Sequence, residues 1–122
     1  LFKEFGCISC HNGVNIGGNL YQKMGIVKNY ETKSKNLGRY NVTKDEEDKY
    51  FFKVPTLRNI ELTAPYFHDG EQVSLEDAVK AMTEYQVGLE PTQKEIDNII
   101  KFLKTLTGEE PKIMEENWKK PL

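Results

Sequence analysis

The chain has 122 residues, of which 38% are hydrophobic and 30% charged, which is enough for one domain with a modest core. Its 17 basic and 19 acidic residues give a net charge of −2. This balance argues against nucleic-acid binding, because contacts to phosphate need a surplus of basic residues. No apolar run approaches the roughly 20 residues of a membrane helix, so we expect no membrane span.

The first residues are too few for a stable element of their own. The chain opens with Leu1 rather than Met, and Gly6 follows after barely one helical turn. A helix this short is not stable in isolation. We therefore expect the chain to be either processed or a piece of a longer protein, with its natural start upstream.

The most informative stretch is Cys7-Ile8-Ser9-Cys10-His11, which contains the only two cysteines of the chain. The pattern C-x-x-C-H is the attachment signature of haem c. Two thiols one turn apart can add to the two vinyl groups on one edge of the porphyrin, and the next residue then offers an imidazole to the iron. The motif predicts a covalent haem with His11 as one axial ligand.

The two cysteines allow three other interpretations. A thioredoxin-like dithiol needs a preceding strand and a βαβ setting, which residues 1–5 do not show. A zinc site needs four ligands, and only His68 and one carboxylate would complete it. A disulfide across two residues would close a very small loop and stabilise little.

Beyond the motif, the sequence predicts long loops followed by two helices and no strong strand. Residues 12–19 are rich in Gly and Asn, residues 20–50 are polar, and Pro55 and Pro65 bracket a loop or short helix. Ser74 and Asp77 then resemble a capping box, ahead of an apolar face that includes Val79 and Met82 and stops near Gly88.

Thr92 and Glu95 form a proper capping box for the second helix. Its apolar stripe consists of Ile96, Ile99, Ile100 and Leu103, and Gly108 is the expected residue just past its end. The predicted class is all-α: a few helices and long loops wrapped around one covalently bound haem c.

The second axial ligand is less clear from spacing. Met24 lies in polar sequence soon after the motif, and Met114 lies beyond the last helix, so both are poor candidates. His68 is able to ligate, although a histidine beside an aspartate in a turn is more often a hydrogen-bonded surface or interface residue. Met82 lies on a well-formed helix, and spacing alone allows it to be either an iron ligand or ordinary core.

A wider resemblance covers roughly residues 1–111. Besides the haem motif, the stretches FKVPTLRNIELTAPYFHDG (52–70), LEDAV (75–79) and IKFLKTLTG (100–108) resemble bacterial dihaem cytochrome c peroxidases. The resemblance is to the C-terminal, electron-transferring half of those enzymes. It implies a cytochrome c-like haem domain over 1–111, and it leaves 112–122, with Trp118, as a C-terminal tail that has no counterpart.

The resemblance also implies roles for individual residues. Cys7, Cys10 and His11 match the thioether cysteines and the proximal ligand, and Met82 matches the distal methionine of the high-potential haem. In the related methylamine-utilisation enzymes a tyrosine stands at that position, so Met82 favours the peroxidase branch. Pro55 matches the proline that packs beside the proximal imidazole.

Two further implications concern Arg58 and calcium. A guanidinium at Arg58 suits a haem propionate, although a solvated arginine fits nearly as well. The family holds a calcium ion between its two domains, partly through backbone carbonyls in the segment that contains Thr63 and Pro65, and calcium takes several oxygen ligands.

The expected function is electron transfer through a His/Met haem c, as one domain of a peroxidase that reduces hydrogen peroxide to water. Its expected partners are the peroxidatic haem domain and a small donor cytochrome c or cupredoxin; the family often forms homodimers. Because haem is attached covalently outside the cytoplasm, the expected location is the periplasm. The alternative is a stand-alone monohaem cytochrome c, a carrier without peroxidase activity.

Overall fold

The computed structural model describes residues 1–112, so the predicted tail from 113 onward, with Met114 and Trp118, lies outside the described residues. The regular elements in chain order are β1 (Tyr21–Lys23), α1 (Tyr40–Thr43), β2 (Phe51–Lys53), α2 (Leu75–Met82) and α3 (Gln93–Lys104). Short 3-10 turns cover Cys7–Ser9, Glu46–Asp48 and Ile60–Leu62, and a π turn covers Thr83–Val87. The expected few helices and long loops are confirmed.

Both predicted helices begin at the predicted caps. The Ser74 side chain accepts a hydrogen bond from the Asp77 backbone N–H at the start of α2. At α3, the Thr92 side chain accepts from the Glu95 N–H while the Glu95 carboxylate accepts from the Thr92 N–H at 2.8 Å, a complete capping box. These bonds satisfy N–H groups that the first turn of a helix leaves unpaired.

The core lies where α2 crosses α3. Its buried cluster consists of Val79, Ile96, Ile99 and Leu103. Partly buried hydrophobic residues from the N-terminus and the neighbouring loops pack around it: Leu1, Phe2, Phe5, Leu57, Ile60, Leu75, Ile100 and Leu106. The predicted apolar stripes of the two helices are therefore the faces that meet.

The prediction of no strand was wrong. Residues Tyr21–Lys23 and Phe51–Lys53 form a two-stranded antiparallel ribbon in which Gln22 lies opposite Phe52. Each strand is only three residues long, which is too short for an alternating pattern to stand out from its neighbours. The ribbon depends on pairing between distant parts of the chain, which a local pattern does not reveal.

The predicted end of the second helix was also wrong. The helix α3 ends at Lys104 with Thr105 as its C-cap, and Gly108 is not the residue that follows its end. The chain continues in tight turns, with the Leu106 N–H bonded to the Leu103 carbonyl at 3.1 Å. The Gly108 N–H instead donates to the side-chain oxygen of Asn59 at 2.8 Å, which ties this end to the loop before Ile60–Leu62.

Candidate functional site

The C-x-x-C-H motif forms a single tight turn. Gly6 precedes it with φ 82°, a left-handed conformation that glycine adopts without strain. The N–H groups of Cys10 and His11 both bond to the Cys7 carbonyl, at 3.3 and 2.9 Å. One turn of the backbone therefore carries the side chains of Cys7, Cys10 and His11.

Both cysteines are free thiols and half-buried. Burial raises the pKa of Cys7, with smaller opposing effects from its own backbone and the chain N-terminus, so Cys7 is protonated at neutral pH. Within residues 1–112, no three His, Cys, Asp or Glu side chains gather as a metal cluster. The zinc interpretation therefore has no ligand set in that part of the chain.

The imidazole of His11 is held in the neutral form. Burial is the largest effect and lowers its pKa, while the nearby carbonyl groups of Pro55 and Ile16 raise it by less. Its Nδ1 is buried without a hydrogen-bond partner among the described residues. A neutral imidazole is the form that binds a metal, and burial maintains it at His11.

Hydrogen bonds join the loop after the motif to residues 54–58. The Gly18 N–H donates to the Val54 carbonyl at 2.7 Å, and the Leu57 N–H donates to the Ile16 carbonyl at 3.1 Å. The Thr56 hydroxyl donates to the Asn15 carbonyl at 2.5 Å. Within this fastened segment, the Pro55 carbonyl lies near the His11 imidazole.

An open cavity of about 540 Å³ lies against one side of the motif. Its wall is mainly apolar and includes His11, Ile8, Ile16, Phe2 and Phe102. Cys7, Cys10 and Met82 are not in this wall. The cavity is thus lined by the motif, the N-terminal residues and α3. His11 lines it and Met82 does not.

Met82 is the last residue of α2 and is half-buried. The π turn Thr83–Val87 begins directly after it and ends at Gly88, which has φ 74°. Single π turns are rare and occur often at functional sites. The helical spacing predicted the apolar face on which Met82 lies. Nothing in the sequence indicated the π turn that follows it.

His68 is not the hydrogen-bonded surface or interface residue that its place beside Asp69 favoured in the sequence. Its side chain is 11% exposed, and its ring stacks on Phe52 with centroids 4.0 Å apart. Its Nε2 lies 4.0 Å from Asp69 Oδ2, and neither atom has a hydrogen-bond partner within residues 1–112. Packing against Phe52 explains why the His68 side chain is buried. In the sequence, the adjacent Asp69 indicated only that this turn is polar.

The other predicted site residues lie at the surface. Arg58 is exposed, and its Nε donates to the Val14 carbonyl at 2.8 Å. Thr63 and Pro65 are exposed, and their carbonyl oxygens accept no backbone hydrogen bond from the described part of the chain. Arg58 therefore has an observed role in fastening the loop after the haem motif, which the sequence did not indicate.

Curated relatives are similar to this chain over most of its length. The chain is 56% identical over 111 residues to a cytochrome c551 peroxidase of Nitrosomonas europaea, a match that covers 91% of this chain and 33% of the relative. It is 47% identical to a cytochrome c peroxidase of Escherichia coli, over 88% of this chain and 24% of that protein. The chain is homologous to part of cytochrome c peroxidase.

A third such relative, the cytochrome c551 peroxidase of Pseudomonas aeruginosa, is 42% identical over 92% of this chain and 33% of its own length. The chain thus spans about a third or less of the peroxidases it matches. No protein-family model matches it. Among solved structures, a MauG-like protein associated with microbial copper homeostasis superposes with a TM-score of 0.76 at 26% identity, over 88% of this chain and 44% of that one.

No helix in residues 1–112 has the length and apolar character needed to cross a membrane.

Proposed function

We propose that this chain is the electron-transferring haem c domain of a cytochrome c peroxidase. The observation that carries the proposal is the single turn on which Cys7, Cys10 and a half-buried His11 lie together. The homology to cytochrome c peroxidases over about nine tenths of the chain supports it. Haem c, when bound, supplies an iron centre that gains and loses one electron at a time.

The residues of the turn fit a covalently held porphyrin. Cys7 and Cys10 carry free thiols one turn apart, which is what thioether bonds to two vinyl groups need. The Nδ1 atom of His11 is buried without a hydrogen-bond partner among residues 1–112, and the Pro55 and Ile16 carbonyl groups lie near the ring, so a ligand bond at Nε2 would leave an N–H at Nδ1 in reach of an acceptor. Such an outer partner fixes the tautomer and the orientation of a ligating histidine.

We assign the second axial position to Met82. It lies at the end of a helix that Val79, one turn earlier, anchors in the core, and the wider turn after it is fixed by contacts to a distant loop. A thioether ligand favours ferrous iron and so raises the reduction potential relative to stronger donors. With both axial positions taken by His11 and Met82, this domain would pass electrons on rather than bind peroxide.

The partners follow from that role. We propose that a peroxidatic haem domain of the same enzyme reduces hydrogen peroxide to water, and that a small cytochrome c or cupredoxin donates the electrons. Because haem c is attached outside the cytoplasm, we propose that the protein is periplasmic, and the enzyme is proposed to be a homodimer. Arg58 would meet a haem propionate, and the free carbonyls of Thr63 and Pro65 would contribute to a calcium ion shared with the other domain.

The cofactor is tested by producing the chain in the periplasm of a host that attaches haem c. A pyridine haemochrome spectrum is expected to show one covalent haem per chain. The double variant Cys7→Ser, Cys10→Ser is expected to show none, while Ser9→Ala in the middle of the same turn keeps it. A wild-type chain without covalent haem would overturn the proposal.

The axial ligand is tested separately by Met82→Ala, with Met24→Ala as the matched control. Loss of the thioether is expected to lower the reduction potential and to let carbon monoxide bind the reduced iron. The Met24 variant is expected to keep the wild-type potential. Equal reduction potentials in the wild type and in both variants would show that Met82 is not an iron ligand.

A further inference from the structure

The side chain of Gln86 joins the π turn after Met82 to residues 23–26, about 60 positions earlier in the chain. Its Oε1 accepts hydrogen bonds from the backbone N–H groups of Gly25 and Ile26, the latter at 3.1 Å. Its Nε2 donates to the Lys23 carbonyl at 3.0 Å. A primary amide suits this place because it offers donors and an acceptor on one planar group without a charge.

The backbone of the same turn adds a second set of bonds. The Tyr85 carbonyl accepts from the N–H groups of Val27 and Lys28, at 3.0 and 3.2 Å. The Lys28 ammonium also pairs with the Glu84 carboxylate. This ion pair is largely exposed, so it contributes little, and the backbone and Gln86 bonds dominate the contact.

The two segments also pack tightly. A Cβ atom on Gly88, at the end of the π turn, would lie 2.8 Å from Val27 Cγ1. A Cβ atom on Gly25 would lie 2.7 Å from the Tyr30 N atom, so the earlier segment is itself tightly folded. The turn is thus held against a compact loop and not against a long flexible side chain.

Met82 lies between two fixed points. On one side, α2 is anchored by the buried residues Ala78, Val79 and Ala81. On the other side, Thr83 is 2% exposed, and its hydroxyl lies 3.1 Å from the Val79 carbonyl and 2.8 Å from the Lys80 carbonyl. The π turn begins at Thr83, directly after Met82, so Met82 is the residue that joins α2 to this turn.

We propose that Gln86 is a positioning residue for the axial methionine. By bonding to Lys23, Gly25 and Ile26, it holds the π turn against the loop, and the fixed turn keeps Met82 in place as an iron ligand. The inference rests on the proposed role of Met82. Gln86 acts through the backbone and has no direct contact with the iron in this scheme.

The test uses the haem-loaded chain and the variant Gln86→Ala. Added imidazole competes with the methionine sulphur for ferric iron, so its apparent affinity reports how firmly Met82 is held. Truncation removes three hydrogen bonds, and we expect the imidazole affinity to rise by about tenfold or more. The reduction potential is expected to fall, because the sulphur is bound less of the time.

Two variants accompany this one. Gln93→Ala is the matched control, because Gln93 is exposed on α3 and its side chain bonds, among residues 1–112, to the side chains of Glu76 and Asp97. It is expected to leave imidazole affinity and potential unchanged. Gln86→Glu keeps the length and the acceptor oxygens but loses the donor to Lys23, so we expect an intermediate effect. If the alanine variant fails to bind haem, the Gln86→Glu variant is measured in its place.

The outcomes separate the two proposals. If the wild type and Met82→Ala bind imidazole equally, Met82 is not a ligand and the proposed coordination fails. If those two differ, but both Gln86 variants match the wild type, the positioning role is overturned. It is overturned equally if the Gln86 variants lower only the thermal unfolding midpoint and leave imidazole affinity and potential unchanged.

Discussion

A Cβ atom on Gly17 would lie 2.0 Å from the carbonyl oxygen of Pro55, far inside any van der Waals contact. Gly17 has φ 129° and is buried, so the loop after the haem motif passes directly over the proline that lies beside His11. Glycine is needed here for space as well as for backbone conformation. The position of the Pro55 carbonyl near the His11 imidazole therefore depends on the absence of a side chain at Gly17.

Gly17→Ala is expected to destabilise the haem-loaded protein by roughly 2–4 kcal/mol, because the methyl group forces the two backbone segments apart and the conformation is itself strained. Gly18→Ala is the matched control. Gly18 also has a positive φ, of 80°, but its Cβ would meet nothing closer than the Lys53 side chain at 4.0 Å. Chemical denaturation of both variants separates the steric effect from the conformational one. Equal losses in the two would show that the close approach at Pro55 does not matter.

Tyr30 gives a prediction for alkaline pH. Burial is the largest effect on the Tyr30 phenol and raises its pKa, and the nearby Asp69 carboxylate raises it further. A hydrogen bond from Gln72 lowers the pKa, and the net result is a pKa of about 12. The folded chain therefore holds this proton more tightly than the unfolded chain does. The resulting stabilisation is complete below pH 10 and is lost as the pH rises towards 12.

Tyr30→Phe removes the ionising group, so its free energy of unfolding is expected to fall less than that of the wild type across this pH range. Tyr21→Phe is the control, because Tyr21 is 54% exposed. Denaturant titrations at pH 9, 10 and 11 measure the difference. If the wild type and Tyr30→Phe lose stability in parallel, the phenol of Tyr30 does not ionise differently in the two states.

Local signals in the sequence predicted the helices well. Ser74 and Thr92 mark the starts of α2 and α3 because a cap is a contact between residues three apart, which the sequence displays directly. The periodic apolar residues likewise predicted the faces that form the core around Val79 and Ile99. The C-x-x-C-H turn is local in the same sense, and its geometry is the predicted one.

Features built from distant residues were not predictable in this way. The ribbon between β1 and β2 joins residues about thirty positions apart, and the amide of Gln86 bonds to a loop about sixty positions away. Neither leaves a periodic or capping signal where it occurs. The burial of His68 against Phe52 is a further contact of this kind, and it explains why a local interpretation placed His68 at the surface.

The capping box of α3 can be tested by Thr92→Ala. The Thr92 hydroxyl is the partner of the Glu95 N–H, and its loss is expected to cost about 1 kcal/mol in the free energy of unfolding. Thr92→Ser keeps a hydroxyl in the same place and is expected to stay close to the wild type. Urea unfolding followed by circular dichroism measures both. A serine variant as unstable as the alanine variant would point to the lost methyl group instead of the cap.

The last prediction concerns the chain without its cofactor. Among residues 1–112 no large side chain is less than 2% exposed, and the central cluster contains only four buried residues. A domain of this length needs a larger interior to offset the loss of conformational entropy on folding. We infer that the porphyrin supplies much of the missing apolar contact.

The double variant Cys7→Ser, Cys10→Ser, purified without haem, is accordingly expected to lose most of its helical circular dichroism at 25 °C. Ser9→Ala in the same turn retains haem and serves as the folded control. Adding free haem to the double variant is expected to restore part of the signal, because His11 and Met82 remain in place. A haem-free variant with the helical signal and unfolding midpoint of the loaded protein would mean that Val79, Ile96, Ile99 and Leu103 suffice as a core.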